Sequence, residues 1–167
     1  MSKNVLTETL QEIRFLQDMA PEHLEEIANI AQIRDFDEYD VVFREGEAAE
    51  NMYLVMFGMV SLEICAPGPG CRQILTLGPG ELLGWSSLLE QRYTARARTP
   101  QGARLLQINV PQLLSVCDRD PQFGYELMRR TALALAKRLS ATRMQLLNVY
   151  GEHLPAVAHE VEAGDGN

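Results

Sequence analysis

Histidine, cysteine and tryptophan are scarce in this 167-residue chain, at three, three and one residues, and each scarcity removes a class of chemistry. A catalytic metal inside a small β-barrel needs several His and carboxylate ligands pointing inward. The three histidines, His23, His153 and His159, all fall outside the stretch that reads as β-structure. Cys65, Cys71 and Cys117 are odd in number and lack any CxxC or mixed Cys/His spacing, which argues against a disulfide framework and a structural zinc site. Basic side chains are few as well: 15 Lys and Arg against 23 Asp and Glu give a net charge of −8, a balance that repels phosphate backbones and anionic membrane surfaces. The longest apolar run, Met52 to Leu62, is broken by Gly58 and Ser61 and is too short to span a bilayer. The start, Met1-Ser2-Lys3-Asn4, has no apolar h-region, and no nucleophile sits beside a base. These absences predict a cytoplasmic, non-enzymatic protein with no metal, no cofactor, no membrane contact and no direct DNA binding.

What is present is enough for one folded domain: the length suits a single core, and 46% hydrophobic with 23% charged residues is ordinary for a globular chain. The charge is uneven. Residues 1–50 carry 13 acids and 4 bases, whereas residues 121–150 carry 1 acid and 5 bases, and residues 151–167 carry 4 acids and no base.

Leu6, Leu10, Ile13 and Leu16 recur at helical intervals, with Thr9 and Glu12 placed for a capping box. Pro21 at a first helical position, followed by Leu24, Ile27, Ala28 and Ala31, predicts a second helix ending near Gln32. The period then falls to two. Val60, Leu62 and Ile64 alternate with polar residues, Ala66-Pro67-Gly68-Pro69-Gly70 breaks the run, and Arg72 to Leu77 resumes it, which is a hairpin pattern. Glycines at 46, 58, 78, 80 and 84 punctuate short strands up to Val110, as in a sandwich or roll. Cys65 and Cys71 bracket the hairpin turn; they are expected as reduced thiols, with a redox-sensitive pair as the alternative.

Asp120 as N-cap and Pro121 as first residue start a helix that nothing interrupts before Gly151, about 45 Å at 1.5 Å per residue. Met128, Ala132, Leu135, Leu139, Thr142, Leu146 and Val149 alternate four and three apart along it, the seam of a two-helix coiled coil, and predict a homodimer. A second row, Leu127, Leu133, Ala134, Ala141 and Met144, is available for the roll. The basic set Arg129, Arg130, Lys137, Arg138 and Arg143 is a docking face or a solvated surface that suits the helix dipole.

Phe43-Arg44-Glu45-Gly46-Glu47, Tyr53-Leu54-Val55 with Gly58, Leu77-Gly78-Pro79-Gly80-Glu81-Leu82-Leu83-Gly84 and Arg104-Leu105-Leu106 occur in an order that resembles the cyclic-nucleotide-binding domain of the catabolite-activator and FNR superfamily, from about Leu16 to Gly151. The resemblance implies a mainly β fold: a double-stranded β-helix (jelly roll) with N-terminal helices over 5–31, the roll over 32–110 and C-terminal helices over 111–150, the last serving dimerisation. These form one domain over 1–151, followed by an acidic tail over 152–167 that reads as disordered.

The same resemblance makes the segment after Gly84 a phosphate-binding cassette, in which a glutamate holds the ribose and an arginine pairs the cyclic phosphate. Here Trp85 stands at the glutamate position and Tyr93 at the arginine position, with Arg92 just before it. Strand parity puts Tyr93, Ala95 and Ala97 on one face and Arg92, Thr94, Arg96 and Arg98 on the other; burying the guanidinium set costs far more, so Tyr93 is expected inward. The candidate ligand-binding residues are therefore Gly84, Trp85, Ser86, Ser87, Tyr93 and Thr94, and the ligand is expected to differ from cAMP. Trp85 is otherwise plain core, and Ser86 and Ser87 otherwise cap the short helix. In the superfamily the long helix leads into a helix-turn-helix domain; the acidic residues after Gly151 do not resemble one, so output is expected through a protein partner. Two alternatives stay open: a ligand-free scaffold dimer with a vestigial pocket, and a divergent cyclic-nucleotide binder.

Overall fold

Leu10, Ile13, Leu16 and Met19 repeat every three residues, and the computed structural model, which describes residues 3–68, 70–89 and 92–150, realises that period as consecutive tight turns. The amides of Ile13, Leu16 and Met19 each bond the carbonyl three residues back, at 2.8 to 3.1 Å, so all four side chains fall on one buried face. Helix α1 (Lys3–Gln11) has already ended by then. This corrects the expected capping box: Thr9 and Glu12 sit at the end of α1, where the Glu12 amide donates to the Thr9 carbonyl. Helix α2 (Pro21–Ile30) starts at its proline, and Ala31 is already extended, because β1 (Ala31–Phe36) claims it for the sheet.

The roll consists of two four-stranded antiparallel sheets. The remaining strands are β2 (Asp40–Phe43), β3 (Asn51–Gly58), β4 (Val60–Ala66), β5 (Gly70–Leu77), β6 (Leu82–Leu83), β7 (Arg96–Thr99) and β8 (Ala103–Asn109). One sheet runs β1-β8-β3-β6 and the other β2-β7-β4-β5, and their inner faces share a core of Phe43, Tyr53, Val55, Leu62, Leu83, Ala97 and Leu105. The first sheet is covered on both sides, so its strands carry adjacent apolar residues instead of alternating ones. Val55, Leu83 and Leu105 point between the sheets, whereas Leu54, Leu82 and Leu106 point toward the helices. Gly58, at φ 82°, turns β3 into β4; a Cβ there would lie 2.5 Å from the Gly102 carbonyl oxygen, so only glycine fits.

Helices α3 (Val110–Arg119) and α4 (Pro121–Tyr150) follow. Asp120 caps α4: its Oδ1 accepts the amides of Gln122 and Phe123 at 3.0 and 3.1 Å. Its Oδ2 lies 3.2 Å from Nε2 of His23, whose Nδ1 is 3.1 Å from Oε2 of Glu126. His23 is buried at 6% exposure and meets the Phe123 ring edge-on. A carboxylate can only accept, so the ring satisfies both neighbours when both its nitrogens carry protons. Arg130 extends the network, donating to Glu126 and to the carbonyls of Phe15 and Gln17.

Residues 1–134 form one compact unit and residues 135–167 another. In the first, Phe123, Leu127 and Thr131 form the buried stripe of α4, with Met128 and Ala134 partly buried against the core. Leu133 is 56% exposed, which corrects the second row proposed from spacing. In the second unit, Leu135 is half-buried, and Leu139, Thr142, Met144, Leu146 and Val149 are exposed. The expected tail over 152–167 lies outside the described residues.

The hairpin supplies another correction. Cys65 and Cys71 face each other in the β4–β5 register and are joined as a disulfide, with Cα atoms 3.9 Å apart; Cys117 is free. The facing of the two residues across the turn is legible from their spacing; the expectation of reduced thiols is what the bond corrects.

Candidate functional site: a cassette closed by tyrosine

The cassette is assembled on the end of β6. Gly78-Pro79-Gly80 turns the chain back, with the Gly78 amide held 2.8 Å from Oε2 of Glu81, and Leu82 and Leu83 then pair with Leu54 and Tyr53 of β3. Gly84, at φ 74°, redirects the backbone into a 3-10 turn over Trp85–Leu88. A Cβ on Gly84 would sit 3.0 Å from the Asn51 carbonyl oxygen and 3.3 Å from Tyr93 Cε1, so the absence of a side chain lets the tyrosine approach the backbone. Ser86 and Ser87 are buried. Ser87 donates its hydroxyl proton to the Gly84 carbonyl at 2.6 Å, which closes the turn and commits that proton.

Tyr93 is brought to Gly84 and faces inward. Its ring is 5% exposed and stacks on Phe43, with centroids 3.9 Å apart and planes at 12°; Phe43 in turn stacks on Tyr53 at 5.9 Å. The Tyr93 hydroxyl donates to the Asn51 carbonyl at 2.8 Å and accepts from the Asn51 amide at 3.3 Å. Its backbone is fixed too, by bonds to Glu47 and Gly46 at 3.0 and 2.8 Å. Burial, followed by the neighbouring Tyr53, pushes the Tyr93 phenol well above its ordinary value of 10.0, so it stays neutral across the ordinary pH range. The position that the resemblance gives to a phosphate-pairing arginine thus holds an uncharged phenol whose hydroxyl is engaged by the Asn51 backbone and by Tyr53.

The neighbours follow the strand parity in part. Arg92 and Thr94 are exposed, and Arg92 donates to the Gly46 carbonyl from outside the roll. Ala97 is buried and Ala95 half-buried. Arg96 is half-buried rather than solvated, because Glu63 opposes it in register and its Nε donates to Glu63 Oε2 at 2.7 Å. Arg98 leaves its Nε buried without a hydrogen-bond partner among the described residues.

Trp85 takes a different place from Tyr93. It is half-buried and packs on the cluster shared by the N-terminal helices, α3 and the start of α4, whereas Tyr93 belongs to the core between the sheets. The structure therefore unites Gly84 with Tyr93 and places the Trp85 side chain in a different cluster from Tyr93. Phe43, Asn51 and Tyr53 complete the tyrosine's seat and escaped the sequence reading. Phe43 offered a signal, an aromatic ending a strand, but stacking across strands depends on a register that one sequence does not display. An open cleft of about 420 Å³ lies elsewhere, against Leu6, Ile33, Asp35 and Arg104. Among the described residues no group of three or more His, Cys, Asp or Glu side chains could hold a metal ion, and no helix is long and apolar enough to cross a membrane.

The family profile described as "Cyclic nucleotide-binding domain" matches residues 33–120, more than half of the chain. A "Cyclic AMP receptor protein" of Thermus thermophilus is 30% identical over 129 residues, covering 77% of this chain and 58% of that protein. A "CRP-like cAMP-activated global transcriptional regulator" of Mycobacterium tuberculosis is 28% identical over 153 residues, covering 90% of this chain and 66% of that one. The chain thus spans less than two thirds of the length of these curated relatives. The crystal structure of the Thermus thermophilus Catabolite Activator Protein superposes with a TM-score of 0.65 at 28% identity, over 81% of this chain and 62% of that chain. With the roll, the cassette turn at Gly84 and these matches in agreement, the chain belongs to the cyclic nucleotide-binding domain family.

Proposed function

We propose that this chain is a cytoplasmic, non-enzymatic regulatory module that works as a homodimer through a protein partner, with its cassette closed to cyclic nucleotides. One observation carries the reading: Tyr93, at the position that the resemblance gives to a phosphate-pairing arginine, is stacked on Phe43 and bonded to the Asn51 backbone. A phosphate brought there would meet a neutral ring and no counter-charge. Trp85 likewise offers no carboxylate to a ribose hydroxyl. The net charge of −8 opposes direct attraction to DNA and favours a protein as the recipient of any signal. A second reading, a sensor of a small ligand other than cAMP, draws on Trp85, which is only half-buried beside the 3-10 turn.

A panel of cAMP, cGMP, haem, 2-oxo acids and aromatic acids separates these readings by melting temperature, since a ligand at 100 times its Kd stabilises by about 2.7 kcal/mol. No rise with either cyclic nucleotide is expected. A rise with cAMP overturns the proposal, and a rise with a non-nucleotide alone establishes the second reading.

The dimer rests on the exposed apolar residues of α4: Leu139 and Leu146 are about half exposed and Val149 more so, at coiled-coil spacing. The wild type is expected to sediment at twice the chain's mass and Leu135→Glu/Leu139→Glu as a monomer. A monomeric wild type, or a double variant that stays dimeric, rejects that seam.

A further inference from the structure

The β4–β5 hairpin has two parts. Up to Glu63, β4 is flanked by β5 on one side and by β7 on the other, the last β7 partner being Arg96. Beyond Glu63, among the described residues, only β5 remains, and β5 is the edge strand of its sheet. The end of the hairpin is therefore a two-stranded ribbon. It is exposed on Ile64, Cys65, Ala66, Pro67 and Gly68 and from Gly70 to Ile74, so almost no apolar burial holds it down. Such a ribbon is marginal in water by itself, and the bond between Cys65 and Cys71 is its one covalent tie.

We propose that Cys65–Cys71 is a reversible thiol–disulfide site, opened by a dithiol reductant and closed again by a disulfide oxidant while the roll stays folded. Both residues are exposed, so an incoming thiolate can reach either sulfur. It attacks one sulfur and forms a mixed disulfide, and the other cysteine leaves as a thiolate and takes a proton. The second thiol of the reductant then attacks the mixed disulfide, closing the reductant's own disulfide and releasing the remaining protein thiol. The protein gains two electrons and two protons, and the dithiol loses the same. Two features favour reversal. The pairing of β4 up to Glu63 with β5 and β7 tethers the freed thiols near each other, and the six-residue separation closes a short loop, the kind that constrains an unfolded chain least. Opening the bond frees only the ribbon, because the pairing of β4 with β7 ends before the cysteines begin.

The test is a redox titration of the full chain in mixtures of reduced and oxidised dithiothreitol, quenched by alkylation and read by peptide mass, with Cys117 mapped separately. Cys65 and Cys71 are expected to become alkylated together at one midpoint, with the melting transition of the roll retained. Hydrogen exchange should rise at least tenfold over residues 64–74 in the reduced state and stay unchanged in β3 and β8. Cys65→Ser should show the fast exchange under both conditions. Three results would each overturn the proposal: alkylation of both cysteines before any reductant is added, reduction only where the roll unfolds, or hairpin exchange that ignores the redox state.

Discussion

Tyr93→Ala is expected to destabilise the fold by about 3–5 kcal/mol, the range for truncating a large buried aromatic side chain. The ring is buried against Phe43, and Gly84 offers no Cβ to fill the hole. Chemical unfolding measures the loss, and a loss below about 1 kcal/mol would show that the tyrosine does not close the roll. Tyr93→Phe separates the hydroxyl from the ring: it leaves the stack and deletes the bonds to Asn51, for about 1 kcal/mol. The cavity left by the alanine has the shape of the missing phenol. Added p-cresol is therefore expected to raise the melting temperature of Tyr93→Ala and leave the wild type unchanged. The alkaline limb provides a further readout. Burial raises Tyr53 and Tyr93 above 10.0, so the folded state holds these protons more tightly than the unfolded chain. That stability is complete below pH 10 and is lost as pH climbs past it; Tyr93→Phe should flatten the fall.

His23→Ala is expected to cost about 2–4 kcal/mol at pH 7. It leaves a hole against Phe123 and removes the ring nitrogens that face Asp120 and Glu126. His23→Leu fills the hole without restoring a donor, so a leucine variant as stable as the wild type would confine the effect to packing. Asp120 is held below its ordinary value by the Phe123 amide first, then by the Gln122 amide and His23. For Glu126 burial pulls upward, but Arg130 and His23 outweigh it and the carboxyl ends below its ordinary value. A depressed carboxyl contributes stability above its unfolded value and forfeits it as pH falls through the folded one. The wild type should therefore weaken in acid, from about pH 4.5 downward, and the gap to His23→Ala should shrink there. A gap constant from pH 7 to pH 2 would assign the whole cost to volume.

Much of this fold can be read from residue pattern because its signals are local. Asp120-Pro121 marks the start of α4 through one side chain's bonds to the next amides. Pro67 and Gly68 mark the β4–β5 turn through backbone preference alone. The misses share the opposite character. The Thr9/Glu12 motif has the right residues, but the period-three turns from Leu10 to Met19 make it the end of a helix rather than the start of one. The Glu63–Arg96 pair and the stack of Phe43 on Tyr93 both depend on which residues meet across strands, and that register is fixed by the assembled sheets. At the cassette, the inward turn of Tyr93 followed from the cost of burying guanidinium groups. Its partners did not, because Asn51 contributes through its backbone, which no side-chain pattern reports.

Trp85 gives the molecule a native optical reporter, since it is the chain's one tryptophan, and its position decides what that reporter hears. It packs with the helical cluster, on the far side of the sheet from Tyr93. Emission from this indole therefore follows displacement of the 3-10 turn against its helical neighbours and is deaf to events confined between the sheets. A small molecule that replaced the Tyr93 ring would raise the melting temperature in spectral silence. A partner protein that shifted α2 or α3 would change the colour of the light with the roll still empty.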